Sequence, residues 1–436
     1  MAEIRPFIGI RPQRGKAAAV AALPYDVYNR EEATRYVKEH PESFLRIDRA
    51  ETQFPLPVDM YDARVYKKAH DLLWEAVTEG TFLREEKKCY YVYELTMQGR
   101  TQTGIVACAS VDDYLGQVIR RHENTRAEKE EDRVRHVEAC RAQTGPVFLA
   151  YRADQTIRGQ IAQAKRQEAE YDFVAEDGVR HRVFVIRDED AIGQIARAFA
   201  GIGQIYIADG HHRAASAVRV CERYRKKYPD YTGEEEFNYF LSVLFPDDEL
   251  MIMDYNRLVR DMNGYSFQGF YREVKSRFDV TEITGGEQRR PPERGSFTMY
   301  MEGHWFLCRI RPEDRRPGDP VADLDVSILQ EKLLNPVLGI GDPKTDGRID
   351  FVGGIRGLDE LVRRCEEDCA VAFAMYPTAI SELFAAADAG CLMPPKSTWF
   401  EPKLRSGLFI HAIGQELMEK GETNDSGKLC RYDGNA

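Results

Sequence analysis

The sequence predicts a mixed α+β protein, because two kinds of pattern alternate along the chain. Short apolar runs rich in β-branched and aromatic residues have the length of buried strands, and segments with apolar residues at helical spacing separate them. The strand-like runs of the first half are residues 89–95, 104–111, 147–151 and 183–186. Those of the second half are residues 237–245, 249–255, 297–301 and 305–310. The basic, proline-bearing insert at 288–295 is expected to be an exposed loop.

The length of the chain favours two domains. It has 436 residues, and single hydrophobic cores stop growing at about 250 residues. Residues 228–236 contain Pro229, Gly233 and three consecutive acids, a composition typical of a domain boundary. We therefore predict a first domain over residues 1–235 and a second α+β domain over residues 236–436.

Composition narrows the possible functions. The formal charge of −11 makes DNA an unexpected partner, because an acidic chain repels the phosphate backbone. No apolar run approaches the roughly 20 residues of a membrane span, and the N-terminal residues lack the apolar stretch of a signal peptide. The nine cysteines are an odd number without a Cys-x-x-Cys pair, so neither a disulfide framework nor a zinc site is expected. We expect a cytoplasmic protein.

The most informative segment is Asp209-Gly210-His211-His212-Arg213. An apolar run precedes it and apolar residues at helical spacing follow it, so the sequence predicts a strand, a tight turn and a helix. A helix start presents unpaired backbone N–H groups and the positive end of a dipole, which together favour an anion. The imidazoles and the guanidinium can donate hydrogen bonds to phosphate oxygens, and the carboxylate can hold Mg²⁺. A purely structural explanation stays open, in which Asp209 caps the helix and Gly210 permits the turn.

A second cluster contains His122, Glu123 and Thr125. Thr125 and Glu128 have the spacing of a capping box, so His122 and Glu123 are expected on a loop that enters a helix. A loop on rigid support can expose a general base or a phosphate ligand. A solvated, charged loop explains the same residues without a function.

Two further segments carry candidate groups. In residues 22–32, Asn29 and Glu32 are expected to cap a helix. Tyr25 and Asp26 are not needed for this cap, and either a function or packing and hydrogen bonding in the domain interior explains them. In residues 393–407, three prolines stiffen a basic segment that suits an anionic ligand or an acceptor. Its candidate residues are Lys396, Ser397 and Lys403. An ordinary proline-rich connection with a solvated face is the alternative.

No Walker sequence, kinase catalytic loop or Gly-x-Ser-x-Gly elbow is present in the sequence. Four motifs in order, at residues 24–27, 122–133, 209–213 and 393–398, instead resemble an uncharacterised bacterial family, number 1015 among the domains of unknown function. The Gly-His-His-Arg stretch also resembles the phosphate-binding motif of the ParB and sulfiredoxin superfamily. This superfamily includes partition CTPases, sulfiredoxins and free-serine kinases.

The resemblance implies a ParB/sulfiredoxin-like nucleotide-binding domain, over which the second domain would close. It implies that Gly210, His211, His212 and Arg213, with Thr125 nearby, contact the phosphates of ATP or ADP. Asp209 matches the acidic position that serine kinases are thought to use for Mg²⁺. Sulfiredoxin chemistry is disfavoured, because histidines stand where its cysteine would be. Glu123 is the candidate base, with His122 beside it, since phosphoryl transfer needs one carboxylate to orient the attacking oxygen.

The sequence is therefore compatible with three functions. The first is a phosphotransferase acting on an alcohol group, with free L-serine as the preferred small hydroxyl-bearing acceptor. The second is a ParB-like nucleotide-binding regulator without kinase activity, which would change its association with a partner or DNA. The third is a scaffold whose histidine turn is only structural, for which no nucleotide would stabilise the fold.

Overall fold

The computed structural model describes residues 1–55, 57–284 and 288–414. Helices and strands alternate in it, so the predicted mixed α+β class is confirmed. Its helices are α1 (Ala17–Val20), α2 (Arg30–Glu39), α3 (Leu45–Asp48), α4 (Ala63–Thr78), α5 (Val111–Leu115), α6 (Ala127–Cys140), α7 (Gln155–Ala164), α8 (Glu189–Ala200), α9 (His211–Lys227), α10 (Phe267–Arg277), α11 (Asp325–Leu329), α12 (Gly357–Glu367) and α13 (Ile380–Asp388). A π-helical turn, Gln330–Leu334, continues α11.

The described part of the chain contains 21 strands. They are β1 (Ile4–Arg5), β2 (Gly9–Pro12), β3 (Phe82–Arg84), β4 (Tyr90–Met97), β5 (Arg100–Ser110), β6 (Ile119–Arg120), β7 (Ala142–Gln143), β8 (Val147–Tyr151), β9 (Tyr171–Val174), β10 (Arg180–Ile186), β11 (Ile205–Asp209), β12 (Tyr239–Pro246), β13 (Met251–Met253), β14 (Tyr255–Val259), β15 (Asp279–Ile283), β16 (Ser296–Met301), β17 (His304–Arg309), β18 (Ile349–Gly353), β19 (Val371–Met375), β20 (Trp399–Glu401) and β21 (Ile410–Ala412). The chain folds into two compact units. The first contains residues 1–119, 125–248 and the described residues from Lys403 onward; the second contains residues 120–124 and 249–402.

A nine-stranded mixed sheet forms the centre of the first unit. Its order is β6-β11-β8-β12-β5-β4-β10-β9, and β1 pairs with β5 outside this path. Strand β12 runs parallel to β8 and antiparallel to β5, and all eight of its residues are buried. A central strand cannot be separated from its sheet, so the structure moves the boundary that we placed at 235/236 to 248/249.

Two apolar clusters support the first unit. One joins the inner face of the large sheet to helix α9, whose residues Ala214, Ala217, Val218 and Cys221 are buried at helical spacing. The other packs α4 and neighbouring helices against a four-stranded sheet of order β3-β2-β21-β7. Strand β21 shows that the end of the described chain returns to the first unit, which the predicted division did not foresee.

The second unit is built on a six-stranded antiparallel sheet of order β15-β17-β16-β19-β14-β18. Helix α12 packs on one face of this sheet, and Leu361 of the helix is buried with Leu258, Ala372 and Ala374. Strands β13 and β20 form a separate two-stranded sheet. In the part of the chain that the structure describes, no helix combines the length and the apolar character that a membrane span requires.

Local signals gave some boundaries and missed others. The capping box of Asn29 and Glu32 is present at the start of α2. The predicted capping box of Thr125 and Glu128 is wrong, because α6 begins one residue later, after Arg126, which has no side-chain cap bond. The predicted strand 249–255 is two strands, β13 and β14, that are separated at Asp254. The buried Asp254 carboxylate accepts a hydrogen bond from Asn256 at 2.6 Å.

Candidate functional site

The strand, turn and helix predicted around residue 210 are confirmed. Strand β11 ends at Asp209, and α9 begins at His211. Gly210 is the N-cap residue, with φ +92° in the left-handed region, which glycine adopts without the steric cost of a Cβ atom. Gly210 itself has no side chain that could cap the helix. That Asp209 caps α9 stays a prediction, whereas the left-handed Gly210 permits the turn as expected.

Arg213, in the first turn of α9, contacts Asp209 and Pro146. Its Nη2 donates to Oδ2 of Asp209 at 3.2 Å, and its Nη1 donates to the carbonyl oxygen of Pro146. The side chain is 13% exposed, so most of the guanidinium is already surrounded by protein. The contacts hold its charge beside the N-terminal end of the helix, where backbone N–H groups also favour an anion.

Lys403 brings a second cation to Asp209. Its Nζ lies 3.8 Å from Oδ2 of Asp209, and its side chain is 13% exposed. The carboxylate itself is 36% exposed. The structure thus joins Lys403, from the segment that returns to the first unit, to a turn that lies far earlier in the chain. A partly exposed carboxylate between two cationic side chains can bind a metal ion in place of one of them. The cationic side chains can then bind a phosphate group.

The two histidines of the motif differ in their surroundings. His211 is buried. His212 is half-buried, and its Nε2 accepts a hydrogen bond from the backbone N–H of Arg126 at 3.0 Å. This bond ties the start of α6 to the turn and gives His212 a structural task in addition to the predicted phosphate contact. Thr125, next to Arg126, donates from its Oγ1 to Oε2 of Glu130 at 2.7 Å.

A small cavity lies inside the first unit beside this turn. Arg213 contributes to its wall, and the other polar groups that line it include Tyr25, Asp48, Arg133, Thr144 and Ser406. The sequence had not singled out Asp48 or Thr144, because nothing in their local pattern signals a site. Ser406 lies in the predicted basic segment 393–407 but was not one of its candidate residues. Arg133 belonged to one of the four family-like motifs, which was the available signal. Asp26, a predicted accessory residue, is exposed, and its neighbour Tyr25 lines the cavity in its place.

The second unit collects the other predicted residues. His122 is buried, its carbonyl accepts from the backbone N–H of Met393 at 2.8 Å, and its Nε2 lies 3.4 Å from Oγ1 of Thr398. Ser397 is also buried, and its hydroxyl donates to the carbonyl of Pro394 at 2.7 Å. The Ser397 hydroxyl therefore forms a hydrogen bond within its own loop.

Tyr255 is a residue of this second cluster that sequence reasoning missed. Burial raises the pKa of its phenol, the nearby Lys396 lowers that pKa, and Glu123 raises it. The Nζ of Lys396 lies 5.6 Å from the centroid of the Tyr255 ring. Tyr255 thus interacts electrostatically with both a predicted base and a predicted accessory cation. Its only sequence signal was its place at the end of a predicted strand.

The backbone at Lys396 is unusual and is held by a buried arginine. Lys396 has φ +61°, a left-handed conformation that costs a side-chain-bearing residue roughly 1–2 kcal/mol. Its carbonyl accepts from Nη2 of Arg257 at 3.1 Å. Burial lowers the pKa of Arg257 to about 10. Conformations of this kind concentrate at functional sites.

Comparison with known proteins gives distant structural similarities. SbnI from Staphylococcus aureus, with a C-terminal truncation, is 13% identical with a TM-score of 0.37, over 73% of this chain and 90% of that one. A mutant free serine kinase in complex with ADP is 13% identical with a TM-score of 0.34, over 70% of this chain and 92% of that one. A conserved hypothetical protein from Pyrococcus furiosus is 14% identical with a TM-score of 0.33, over 70% and 94%.

No curated protein matches the chain. The model of the family described as "Protein of unknown function (DUF1015)" matches residues 4–327. This match spans the large sheet, the turn at Gly210 and much of the second unit. It also confirms the family that the four motifs predicted: the chain belongs to the DUF1015 family.

Proposed function

We propose that this protein is a phosphotransferase that uses a Mg²⁺-bound nucleotide, ATP or ADP, to phosphorylate the hydroxyl group of a small metabolite. Free L-serine is the preferred acceptor. The observation that carries the proposal is the arrangement at the start of α9, where Gly210, Arg213 and Lys403 surround the half-exposed carboxylate of Asp209. The resemblance of the Gly-His-His-Arg stretch to the superfamily that includes free-serine kinases supports the same proposal.

The start of α9 provides the proposed phosphate site. The first turn of a helix offers backbone N–H groups without intrahelical partners, and the left-handed Gly210 has no side chain to block an approaching phosphate. Arg213 and Lys403 supply positive charge beside it. We propose that both cations turn from Asp209 to phosphate oxygens when the nucleotide binds, because charge-assisted hydrogen bonds to phosphate are strong.

Asp209 is the proposed metal ligand. Mg²⁺ prefers carboxylate oxygens together with phosphate oxygens and water, and the 36% exposure of the Asp209 side chain leaves room for such ligands. A bound Mg²⁺ would neutralise charge on the phosphate oxygens. In this proposal the ion replaces the positive charge that Arg213 and Lys403 now contribute to the carboxylate.

The proposed reaction is a direct displacement at phosphorus. The acceptor hydroxyl oxygen forms a bond to the terminal phosphorus, and the bond from this phosphorus to the bridging oxygen breaks. The departing nucleotide keeps the electron pair of the broken bond, and the hydroxyl proton passes to a base. We propose the Glu123 carboxylate as this base, since one carboxylate commonly orients the attacking hydroxyl in phosphoryl transfer. In this proposal, His122 and Tyr255 would orient the Glu123 carboxylate, and Lys396 would offset its negative charge.

The test is a direct assay for phosphoserine. Purified protein is mixed with MgATP or MgADP and L-serine, and the products are followed by phosphorus NMR and mass spectrometry. Phosphoserine formation that is lost in Asp209→Ala and in Glu123→Gln supports the proposal. The absence of phosphoserine with either nucleotide, or an Asp209→Ala variant as active as the unmodified protein, would exclude the serine-kinase function. Nucleotide stabilisation of the fold without any transfer would favour the ParB-like regulator instead.

A further inference from the structure

The cavity of the first unit contains buried charges of both signs. Arg133 and Asp48 are 7% and 5% exposed, and both line the cavity. Burying a charge is costly unless the charge is paired and hydrogen-bonded. A protein therefore keeps such groups around an internal space mainly when neighbours or a ligand compensate them.

Arg133 is only partly satisfied by its neighbours. Its Nε and Nη2 lie 2.8 Å and 2.7 Å from Oδ2 of Asp132. Its guanidinium carbon lies 4.0 Å from the centroid of the Tyr25 ring. Among the described residues, none accepts a hydrogen bond from its Nη1. One edge of a fixed guanidinium is thus left to donate to an anionic group.

Asp48 supplies the opposite charge. Its Oδ1 accepts from Oγ1 of Thr144 at 2.8 Å and lies 4.0 Å from Nε2 of His136. Burial, reinforced by the charge of Arg133, lowers the pKa of His136, so its imidazole is neutral near neutral pH. No described residue donates a hydrogen bond to Oδ2 of Asp48. This oxygen can therefore accept from a cationic group of a ligand.

Two hydroxyl groups complete the polar lining. In the described part of the chain, neither the Tyr25 phenol nor Oγ of Ser406 has a hydrogen-bond partner. Both residues are held in place by their backbones. Nη1 of Arg49 donates to the carbonyl of Tyr25 at 3.1 Å, and Ser406 exchanges two backbone hydrogen bonds with Ala22. The backbone contacts thus fix the positions of both residues, and both hydroxyl groups can form hydrogen bonds with a ligand.

We propose that this cavity is the binding site of a small zwitterionic α-amino acid that carries a hydroxyl group. Its carboxylate would accept from Nη1 of Arg133 and from the Tyr25 and Ser406 hydroxyls, and its ammonium group would donate to Oδ2 of Asp48. The small volume of the cavity favours a ligand of the size of serine over larger amino acids. The inference rests on the proposed phosphotransferase function, because Arg213 belongs to both the cavity wall and the proposed phosphate site.

Three probes test the zwitterion requirement on the full-length protein. L-serine carries both charged groups, L-glycerate has the same configuration but lacks the ammonium group, and ethanolamine lacks the carboxylate. Binding is measured by calorimetry, both without nucleotide and with a non-hydrolysable ATP analogue and Mg²⁺. We expect L-serine to bind at least about tenfold more tightly than either of the others, because each lost charged hydrogen bond removes that much affinity. Equal binding of the three probes, or no L-serine binding under either condition, would overturn the proposal.

Mild variants then locate the site. Tyr25→Phe and Ser406→Ala each remove one hydroxyl and keep the packing, and each is expected to weaken L-serine binding by about tenfold. The matched controls are Tyr28→Phe and Ser110→Ala, which alter residues of the same unit outside the cavity lining. Circular dichroism confirms that each variant is folded. Unchanged L-serine affinity in both cavity variants would overturn the assignment of the site.

The same variants separate this inference from the proposed function. L-serine binding that depends on Tyr25 and Ser406, together with no phosphoserine, would keep the cavity site and exclude the kinase. Phosphoserine formation with an unchanged KM for L-serine in both variants would keep the kinase and exclude the cavity as its acceptor site.

Discussion

Gly210 and Arg213 are sterically coupled across the first turn of α9. A Cβ atom at position 210 would lie 2.9 Å from Nε and from Nη2 of Arg213. The same residue has φ +92°, so glycine is required both for the backbone conformation and for the space that the guanidinium occupies. The missing Cβ atom at Gly210 is thus what allows the Arg213 guanidinium to lie against the turn.

The first prediction concerns this contact. Gly210→Ala is expected to destabilise the protein by about 1–2 kcal/mol, because alanine is strained at positive φ, and to displace the Arg213 guanidinium. Urea unfolding measures the first effect, and thermal shift with MgATP measures the loss of nucleotide stabilisation. Gly203→Ala is the matched control, since a Cβ at Gly203 meets no heavy atom within 4 Å. Equal nucleotide stabilisation in the two variants would contradict a role of the turn in phosphate binding.

The second prediction concerns the charge of Asp209. Asp209→Asn keeps the shape of the side chain but removes the charge, so MgATP affinity is expected to fall by at least about tenfold, as losses of metal-site groups commonly do. Affinity for ATP without Mg²⁺ is expected to stay equal or to rise, because Arg213 and Lys403 lose the carboxylate that competes with phosphate. Calorimetry with and without Mg²⁺ measures both affinities. Asp112→Asn, which removes a surface partner of Arg225, is the control. An equal loss of affinity in both conditions would exclude Asp209 as the metal ligand.

Local patterns in the sequence predicted the parts of the site that are contiguous in the chain. The apolar run before Asp209 and the helical spacing after it are properties of neighbouring residues, and β11 and α9 follow them. The Thr125 prediction failed because a contact distant in sequence competes with a local one. The Arg126 N–H is bonded to His212, and the Thr125 hydroxyl donates to Glu130.

The cavity and the second cluster could not be predicted in this way. Tyr25, Asp48, Arg133 and Ser406 come from four separate segments, and only the tertiary fold places them around one space. Tyr255 likewise acquires its interactions with Glu123 and Lys396 through packing. Spacing along the chain carries no information about such contacts, whereas the four ordered motifs did identify the family.

The third prediction separates the side chain of Lys396 from its backbone. Lys396→Gly is expected to change the free energy of unfolding by less than about 1 kcal/mol, because relief of the left-handed strain offsets the added chain entropy of glycine. Phosphoserine formation is nevertheless expected to fall by at least about tenfold, since one charged group near the proposed base is lost. Gln98→Gly, at φ +51° in the turn between β4 and β5, is the control for backbone relief. Full activity of Lys396→Gly would remove Lys396 from the proposed site.

His181 provides a prediction that is independent of the proposed activity. The side chain is fully buried, its Nε2 accepts from Nε of Arg405 at 3.3 Å, and its Nδ1 lies 2.7 Å from the Tyr93 hydroxyl. Burial, and then the positive charge of Arg405, lower the pKa of His181 to about 3. Arg405 is itself paired with Asp177. The folded protein therefore keeps this imidazole neutral at a pH where the unfolded chain protonates it.

The fourth prediction follows from the sign of that shift. Below a pH of about 6.5, His181 is protonated in the unfolded state but stays neutral in the folded state. The free energy of unfolding therefore falls with decreasing pH until the pH reaches the folded pKa of about 3. The expected loss from His181 is about 2 kcal/mol between about pH 7 and about pH 5. Urea unfolding at both pH values is expected to show a smaller loss for His181→Gln than for the unmodified protein. His304→Gln, whose side chain is 53% exposed, is expected to keep the full loss. An acid sensitivity that is the same in His181→Gln and the unmodified protein would show that His181 accepts a proton while folded.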